Sequence, residues 1–389
     1  MTKALYAFSG DPITYGHIDI VERAARSFDE IIVGIGKNPD KRYTFSLEER
    51  TEMARRSLQH LSKVNVVADK QLENHQVRVV AFEGLLVDYA YEQQIEVIIK
   101  GLRDSKDFDY EVQLHNIGDS QRLGIDTFFL PARQELAHVS SSAVKALQKE
   151  HGLIHKYVPL YVKQCVEAKI SEQYIIGITG EPGTGKSYLG EKLKKEGAQK
   201  CIPVHHIELD HIGHKILSTR QEPVYQKIRK QIAETFGKHL HLTDGSIDRK
   251  VLGEIVFGNP KQLEKLNAVM YDPLLVGLRQ ELRGKKGIIL FDAALLAESG
   301  LTHLCNNNVI LVTANETTQQ QRLQKRNLST EQMQRRLASQ YRTEEKKTEV
   351  EKKIVQGGNG KLWVFDNSEG TDQDQIPRQL DKLIEYFGI

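Results

Sequence analysis

Apolar residues in the first 170 positions fall into short runs that alternate with helical patterns. Residues 4–8 form a run that predicts a buried strand, and apolar positions then recur at helix spacing between Ile18 and Phe28. The last helix of this part begins near Pro159 and fades at Lys169. Because strands alternate with helices, the pattern predicts a parallel α/β sheet. Further strands are predicted at residues 31–35, 64–67, 77–81, 97–99 and 127–130.

A second alternating pattern begins after a short connection at residues 171–173. The run 174–179 predicts a new buried strand, and the charged stretch 317–353 predicts long helices. A chain of 389 residues is too long for one ordinary domain. We therefore predict two α/β domains, residues 1–170 and 171–389, each built on a parallel sheet. Further strands of the second domain are predicted at residues 204–209, 288–291, 309–312 and 362–365.

Composition narrows the class of protein. The 54 basic residues nearly balance the 52 acidic ones, which argues against a dedicated nucleic-acid binder. The second domain has a slight basic surplus, which suits phosphate-rich ligands. Cys165, Cys201 and Cys305 are far apart and form no metal-binding spacing, so we expect reduced thiols and a cytoplasmic protein. The chain start leaves no room for a signal peptide, and no apolar stretch reaches the length of a membrane span, so no membrane partner is expected.

The most specific local motif, the phosphate loop, runs from Gly180 to Ser187. Its letters Gly-Glu-Pro-Gly-Thr-Gly-Lys-Ser fit GxxxxGK[ST] and lie between a predicted strand and a predicted helix. Such glycines let backbone N–H groups converge on a phosphate at a helix N-terminus. Lys186 is expected to neutralise phosphate charge, and the Ser187 hydroxyl to ligate Mg²⁺. The predicted ATP-binding residues of this motif are Gly180, Gly183, Thr184, Gly185, Lys186 and Ser187.

Further residues favour a small-molecule kinase over a motor or a GTPase. Asp210 follows the predicted strand 204–209, where such kinases place a carboxylate that faces the acceptor hydroxyl. The alternative is that Asp210 only caps the following helix. Asp292 ends another predicted strand, in a Walker-B-like position for the metal. The next helical region carries several arginines that as a group could close over phosphates. Each arginine taken alone is more often a solvated surface residue. The group comprises Arg322, Arg326, Arg335, Arg336 and Arg342.

An ordered series of motifs across residues 174–389 resembles dephospho-coenzyme A kinase. The resemblance implies phosphoryl transfer from ATP to the ribose 3′-hydroxyl of dephospho-coenzyme A. It also implies that Asp210 is the base and acceptor anchor, and that Arg326 and Asn367 belong to the nucleotide site. The series comprises Gly177-Ile-Thr-Gly with the phosphate loop, Leu209-Asp210-His-Ile, Ile247-Asp-Arg-Lys-Val-Leu, Leu266-Asn-Ala, Asp272-Pro273-Leu, Asp292 with Leu295-Leu-Ala-Glu-Ser-Gly300, Gln321-Arg-Leu-Gln-Lys-Arg326 and Asp366-Asn-Ser.

The chain departs from this kinase pattern near the expected reacting groups. Glu181 and Pro182 replace smaller residues of the phosphate loop, and Glu181 adds an anion near the expected phosphates. Asp272 stands where the family commonly has a histidine. Ala294 and Ala297 replace the usual proline and phenylalanine. These departures bear on the acceptor pocket and on the phosphate loop.

Two helix starts in the first domain carry possible phosphate ligands. Thr14-Tyr-Gly-His17 follows the first strand, so the His17 ring can meet a phosphate at the helix N-terminus. Ser140, Ser141 and Ser142 precede a second helix and offer hydroxyl and N–H groups, although serines there also suit ordinary capping.

Basic residues lie between these two helix starts in the sequence. Lys41 is followed, further along the chain, by Lys100 and Arg103 at the end of a buried strand. In an open parallel sheet, ligands bind at the carboxyl ends of the strands. The pattern therefore predicts a second site for phosphate groups, in the first domain.

This set resembles the nucleotidyltransferases, and specifically phosphopantetheine adenylyltransferase, across residues 3 to about 168. The resemblance implies a Rossmann-like fold and the joining of 4′-phosphopantetheine to the AMP part of ATP, with release of pyrophosphate. That reaction needs no protein nucleophile because the acceptor phosphate is already an anion. The matching stretches are Asp11-Pro-Ile-Thr-Tyr-Gly-His-Ile-Asp-Ile, Asn38-Pro, Phe45-Ser-Leu-Glu-Glu-Arg50, Lys100-Gly-Leu-Arg103, Asp107-Phe-Asp-Tyr-Glu111 and Val139-Ser-Ser-Ser.

The same resemblance implies a role for each matching residue. His17, Lys41 and Arg103 would stabilise phosphate charge. Three departures stand out: Ser9-Gly10 in the first loop, Lys100 in place of an arginine, and an apparent insertion over residues 69–78. The pantetheine arm or its phosphate would contact Ser9, Leu86 and Lys100. The ATP side would comprise Gly10, His17, Gly101, Arg103, Glu111, Ser140, Ser141 and Ser142.

The two resemblances name consecutive steps of one pathway. We therefore predict a fusion enzyme that completes coenzyme A, with ATP as co-substrate, Mg²⁺ as cofactor and small molecules as partners. A homo-oligomer is possible. One alternative is a nucleotidyltransferase for another small phosphate fused to a nucleoside-type kinase. Another is a first domain that is inactive and serves as an assembly module for the kinase.

Overall fold

The chain divides into two compact units, Met1–Ser171 and Glu172–Ile389. The computed structural model describes all residues except 1, 39–40, 63–64, 68–69, 73–75, 257–258, 326–339, 371 and 373. Each unit contains its own five-stranded sheet in which every pairing is parallel.

The sheet of the first unit has the strand order β5-β2-β1-β6-β7. In the central strand, Leu5 lies opposite Ile32 on one side and Ile98 on the other. All three residues are buried, as expected for a parallel sheet that is covered on both faces. The strands of this unit are β1 (Lys3–Phe8), β2 (Glu30–Gly36), β3 (Asn65–Val67), β4 (Lys70–Leu72), β5 (Gln76–Phe82), β6 (Val97–Leu102) and β7 (Asp126–Pro131).

Helices connect the strands of the first unit. A capping box starts the second helix, because Ser46 Oγ accepts the Glu49 N–H at 3.1 Å and the Glu49 carboxylate accepts the Ser46 N–H. One apolar core of this unit includes Ile20, Val33 and Val162. The helices are α1 (Tyr15–Ala24), α2 (Leu47–Leu58), α3 (Leu86–Glu92), α4 (Ser105–Asp119), α5 (Ser141–Lys149) and α6 (Leu160–Val166).

The sheet of the second unit has the order β12-β11-β8-β10-β9. Its central strand reads Gln-Tyr-Ile-Ile-Gly-Ile-Thr, and six of these seven residues are buried. The strands are β8 (Gln173–Thr179), β9 (Val204–Glu208), β10 (Gly287–Asp292), β11 (Asn308–Thr313) and β12 (Lys361–Asp366).

Helices of the second unit pack against this sheet and extend beyond it. The last helix buries Leu380 and Leu383 against Trp363 of β12. The described helices are α7 (Lys186–Gln199), α8 (Leu209–Leu217), α9 (Pro223–Phe236), α10 (Arg249–Val256), α11 (Pro260–Leu282), α12 (Glu316–Gln324), α13 (Thr343–Gly357) and α14 (Gln375–Phe387).

The predicted α/β class with parallel sheets is confirmed, but one of the predicted strands is not part of the parallel sheet. The strand predicted at residues 64–67 is β3, which pairs antiparallel with β4 in a separate two-stranded sheet. Strands joined by only two residues can pair only in antiparallel fashion, which accounts for the direction of the β3–β4 pairing. The predicted insertion at residues 69–78 lies partly outside the described residues.

Two predicted helical regions are also more divided than the sequence indicates. The helix predicted from Pro159 to Lys169 is α6 followed by a π-helical turn at Glu167–Ser171. The charged region 317–353 overlaps α12 and α13, and residues 326–339 between them are not described. Across the described ranges of both units, we find no helix that is long and apolar enough to cross a membrane.

Candidate active sites

The phosphate loop lies between the end of β8 and the start of α7. Gly180, Gly183 and Gly185 have φ angles of 155°, 84° and 93°, which residues with a side chain rarely adopt. A Cβ at Gly180 would stand 2.3 Å from the Val312 carbonyl oxygen, and one at Gly185 would stand 2.2 Å from Asn367 Nδ2. Backbone angle and close packing therefore both require glycine at these two positions.

Lys186 is the first residue of α7, and its ammonium group turns back onto the loop. Lys186 Nζ donates to the carbonyl oxygen of Gly180 at 3.0 Å and to that of Glu181 at 3.2 Å. These carbonyl groups hold the positive charge inside the loop, at the place where the motif predicts phosphate.

Two oxygen-bearing side chains meet next to the phosphate loop. Ser187 Oγ donates to Asp292 Oδ2 at 2.8 Å. Asp292 ends β10, which is the neighbour of β8 in the sheet, and the residue is buried. Hydroxyl and carboxylate oxygens are ligands that suit Mg²⁺, which is usually held by one or two protein groups together with phosphates and water. The pair therefore fits the predicted metal position.

His206 on β9 is a neighbour of this pair that the sequence analysis missed. Its Nε2 lies 3.3 Å from Asp292 Oδ2 and its Nδ1 lies 3.1 Å from Glu191 Oε1. Burial acts to lower the pKa of His206, but the hydrogen bonds to Asp292 and Glu191 outweigh it and raise that pKa. No local motif marks His206, because its partners are distant in sequence.

Asp210 lies in the first turn of α8. The N-cap of that helix is Glu208, so Asp210 does not hold the capping position that the alternative interpretation gave it. The residue remains accessible to solvent. Surrounding protein that displaces water raises the pKa of the Asp210 carboxyl, and the charge of Asp292 acts in the same direction, while Lys186 and Arg249 oppose them.

Asn367 and Arg322 bind the phosphate loop from the other side. Asn367 Nδ2 donates to the carbonyl oxygen of Thr184 at 2.7 Å. The Arg322 guanidinium donates to the same oxygen at 3.1 Å and to the Asn367 carbonyl oxygen at 2.9 Å. Of the arginine group predicted from sequence, Arg322 thus contacts the loop directly. The predicted nucleotide ligand Arg326 lies outside the described residues, together with Arg335 and Arg336.

In the first unit, His17 lies in the first turn of α1. His17 Nδ1 accepts the Thr14 backbone N–H at 3.1 Å and lies 2.9 Å from Thr14 Oγ1. Its ring stacks on Phe8 at a centroid distance of 4.4 Å. Burial, assisted by the charge of Arg103, lowers the pKa of His17 to about 4. The imidazole is therefore neutral near pH 7, and because Nδ1 accepts, the proton lies on Nε2.

Two basic residues at the end of β6 and the following loop are paired with acids of α4. Lys100 Nζ lies 2.7 Å from Glu111 Oε2. The Arg103 guanidinium donates to both carboxylate oxygens of Asp107, at 2.7 and 3.0 Å. The bond to Asp107 raises the pKa of Arg103. Lys100 and Glu111 are therefore direct neighbours, although Lys100 is predicted to contact the pantetheine arm or its phosphate and Glu111 is predicted to contact ATP.

The predicted serines at the start of α5 have individual partners. Ser140 Oγ accepts the Ala143 N–H at 3.1 Å and caps the helix. Ser141 Oγ donates to the Pro12 carbonyl oxygen at 2.7 Å, which joins the start of α5 to the loop before α1. Ser142 is exposed. The two predicted helix starts of the first unit therefore lie side by side.

The other predicted residues of the first unit lie in loops or at the ends of elements. Ser9 and Gly10 follow β1, and Gly10 has a φ angle of 60°. Leu86 begins α3, and Gly101 lies in β6. Lys41 is exposed in the loop after β2.

Arg50 is a second residue whose position the sequence did not reveal. Its side chain on α2 is buried, and Nη1 donates to the carbonyl oxygens of Ser9 and Gly36, the latter at 2.8 Å. The guanidinium also lies over the Tyr43 ring at 4.0 Å. Arg50 thus joins the ends of β1 and β2 to the loop that carries Lys41.

Asp11 provides a similar buried connection. Its carboxylate accepts the backbone N–H groups of Thr44 and Phe45, and Lys145 of α5 forms an ion pair with it. A charge can be buried in this way because it is both paired and hydrogen-bonded. The first loop, the start of α2 and α5 are therefore joined at one residue.

Family comparisons agree with the division into two units. A family model described as Dephospho-CoA kinase matches residues 174–361. Another, described as Cytidylyltransferase-like, matches residues 9–147. These matches cover the described phosphate loop of the second unit and the helix starts of the first unit.

Individual proteins similar to this chain are known as well. The phosphopantetheine adenylyltransferase of Nautilia profundicola is 39% identical over 158 residues, which cover 41% of this chain and 94% of the relative. That of Actinobacillus pleuropneumoniae is 38% identical over 155 residues, which cover 40% and 90%. A solved dephospho-CoA kinase from Campylobacter jejuni, 21% identical with a TM-score of 0.31, covers 55% of this chain and 98% of its own.

The matches define a class: a nucleotidyltransferase unit followed by a kinase unit, both from families that use ATP. The chain belongs to the phosphopantetheine adenylyltransferase family in its first unit and carries a dephospho-CoA kinase domain in its second. The predicted fusion of these two families is therefore confirmed.

Gly185→Ala should weaken ATP binding. A left-handed backbone costs a non-glycine residue roughly 1–2 kcal/mol, and the added Cβ would meet Asn367 Nδ2 at 2.2 Å. We expect ATP affinity to fall by about tenfold or more, measured by isothermal titration calorimetry. Gly284→Ala is the matched control, because Gly284 has a φ angle of 74° and no atom within 4 Å of its Cβ position. Equal ATP affinity in both variants would contradict the close packing.

Proposed function

We propose that this chain catalyses the last two steps of coenzyme A synthesis. The first unit transfers AMP from ATP to 4′-phosphopantetheine, and the second phosphorylates the 3′-hydroxyl of the resulting dephospho-coenzyme A. The observation that carries the proposal is the presence of both enzyme families on one chain, each with its candidate phosphate-binding residues near the carboxyl edge of its own sheet.

In the first step, an oxygen of the phosphopantetheine phosphate attacks the α-phosphorus of ATP. The bond to the β-phosphate breaks, and pyrophosphate leaves. No protein base is needed, so the protein contributes positioning and charge stabilisation. His17 suits this task because its neutral ring presents the Nε2 proton as a donor. Lys41 and Arg103 supply positive charge.

The remaining predicted residues of the first unit bind the two substrates. Ser9, Leu86 and Lys100 would hold the pantetheine arm and its phosphate. Lys100 and Glu111 are assigned to different substrates but pair with each other, so binding of both substrates would have to rearrange or share this pair. The ATP side comprises Gly10, Gly101, Glu111, Ser140, Ser141 and Ser142.

In the second step, the ribose hydroxyl carries no charge of its own and needs a base. Asp210 would orient that hydroxyl and accept its proton while the hydroxyl oxygen attacks the γ-phosphorus. The raised pKa of Asp210 brings the carboxylate closer to the range in which a base acts well near neutral pH. Lys186 would neutralise charge on the transferred group, and Arg326 and Asn367 would hold the nucleotide.

We propose that the kinase step uses Mg²⁺. Ser187 and Asp292 would hold it, because their oxygens lie 2.8 Å apart beside the phosphate loop. Held there, Mg²⁺ would supply positive charge that offsets the negative charge of the ATP phosphates. Within the described residues there is no cluster of three or more His, Cys, Asp or Glu side chains that could hold a metal, and a Mg²⁺ held largely by phosphates and water does not require one.

The complete chain should convert 4′-phosphopantetheine to coenzyme A. With ATP and Mg²⁺ present, mass spectrometry should detect dephospho-coenzyme A as an intermediate and coenzyme A as the product. Chelation of Mg²⁺ should stop the conversion, and CTP in place of ATP should support it poorly. If neither product forms, or if another small phosphate is the better acceptor, the proposal is wrong.

The two activities should be separable by single substitutions, because the candidate residues for each activity all lie within one unit. His17→Ala should reduce adenylyl transfer by about a hundredfold or more and leave phosphorylation of supplied dephospho-coenzyme A nearly unchanged. Lys186→Ala should do the opposite and cause the intermediate to accumulate. Both rates are measured on each folded variant. Parallel loss of the two activities in either variant would contradict separate sites.

Asp210→Asn should reduce kinase turnover while ATP affinity stays close to normal. Removal of a positioned base typically costs about a hundred- to ten-thousandfold in rate. In the native protein, turnover should fall as the pH drops through the raised pKa of Asp210, at a higher pH than an ordinary aspartate would give. Adenylyl transfer by the same variant is the internal control. A variant that retains most of its kinase turnover would make Asp210 a structural residue.

A further inference from the structure

Glu181 extends from the phosphate loop to the start of α13. Its Oε1 accepts both the backbone N–H and the hydroxyl of Thr343, each at 2.7 Å. The Arg342 guanidinium lies 3.5 Å from Oε2. The sequence placed an anion near the phosphates, but these contacts direct the carboxylate toward a helix N-terminus, where the helix dipole stabilises negative charge.

The ionisation of Glu181 agrees with this geometry. Burial acts to raise the pKa of the carboxyl, but the two hydrogen bonds from Thr343 and the charge of Arg342 outweigh it and lower that pKa. The side chain is 11% exposed. Glu181 is therefore a negatively charged group near pH 7, held in one orientation by charged hydrogen bonds.

A second carboxylate holds the same helix to the loop that follows β10. Glu298 accepts the Tyr341 N–H at 2.9 Å and forms an ion pair with the buried Lys346 of α13. Lys346 Nζ also donates to the Ala294 carbonyl oxygen at 2.7 Å. The start of α13 therefore contacts two loops. One is the phosphate loop after β8, which includes Lys186, and the other is the loop that follows Asp292 at the end of β10.

Building on the proposed kinase function, we propose that Glu181 is a positioning residue for nucleotide binding. It holds the glycine-rich loop in place by bonding it to α13, so that the loop is ordered before ATP arrives.

The physical basis is the entropy of a loop that contains three glycines in unusual conformations. Glycine has the largest conformational freedom of all residues, and fixing one backbone residue costs about 1–2 kcal/mol. Without the Glu181 contacts, part of that ordering would occur on ATP binding and reduce the observed affinity. With Glu181 bonded to Thr343, the entropy cost of ordering the loop is already included in the free energy of folding. The effect should therefore appear in ATP affinity and not in turnover at saturating ATP.

The test measures ATP-analogue affinity by isothermal titration calorimetry, with no acceptor present, and kcat with dephospho-coenzyme A. Glu181→Ala should weaken analogue affinity by about tenfold and leave kcat within about twofold of the native value. Glu181→Gln keeps an oxygen that accepts both bonds, so it should restore most of the affinity. Thr343→Ala should have a smaller effect, and the double variant should be no worse than Glu181→Ala alone.

Glu345→Ala is the matched control. Glu345 accepts the Arg342 N–H at 2.7 Å within the same helix start, so the variant weakens the helix without touching the loop. Its analogue affinity should stay native. Equal affinity for Glu181→Ala and the native protein, or an equal loss for Glu345→Ala, would overturn the positioning role. Since affinity is measured without an acceptor, a chain that binds the analogue as expected but does not phosphorylate dephospho-coenzyme A would refute the proposed function alone.

Discussion

Parallel strand pairing is the constraint on which both reacting regions depend. When strands run in one direction, their carboxyl ends and the loops that follow them all lie at one edge of the sheet. In the second unit this pairing sets Asp292 opposite Ile178, one residue before the end of β8. Ser187 can then reach Asp292 although 105 residues separate them. In the first unit, the ends of β1 and β2 lie close enough for one guanidinium to bind both.

Positive charge at these edges already has partners in the protein. Lys100 and Arg103 are paired with acids of α4, and Lys186 is bonded to main-chain carbonyl groups. A polyphosphate that binds there exchanges one set of partners for another and does not meet bare cations. The existing pairs restrict the conformations of these side chains before any ligand binds.

Local motifs could be predicted from the sequence because their geometry depends on neighbouring residues. The phosphate loop is the best case, since its glycines, Lys186 and the helix start are contiguous. The contacts that surround it were not predictable, because Asn367 reaches Thr184 across 183 positions and Glu181 reaches Thr343 across 162. Such pairs depend on tertiary packing and leave no periodic or local signal. The antiparallel pairing of β3 was missed because a short apolar run gives no direction.

The neutral imidazole of His17 has a consequence for acid stability. Its pKa is about 4 in the folded protein, whereas an ordinary histidine in an unfolded chain has a value near 6.5. As the pH falls from about 6.5 toward 4, the unfolded chain takes up a proton that the folded first unit does not, so folding becomes less favourable. The difference corresponds to roughly 3 kcal/mol once the pH is below both values. The stacked ring of His17 thus makes this unit sensitive to mild acid.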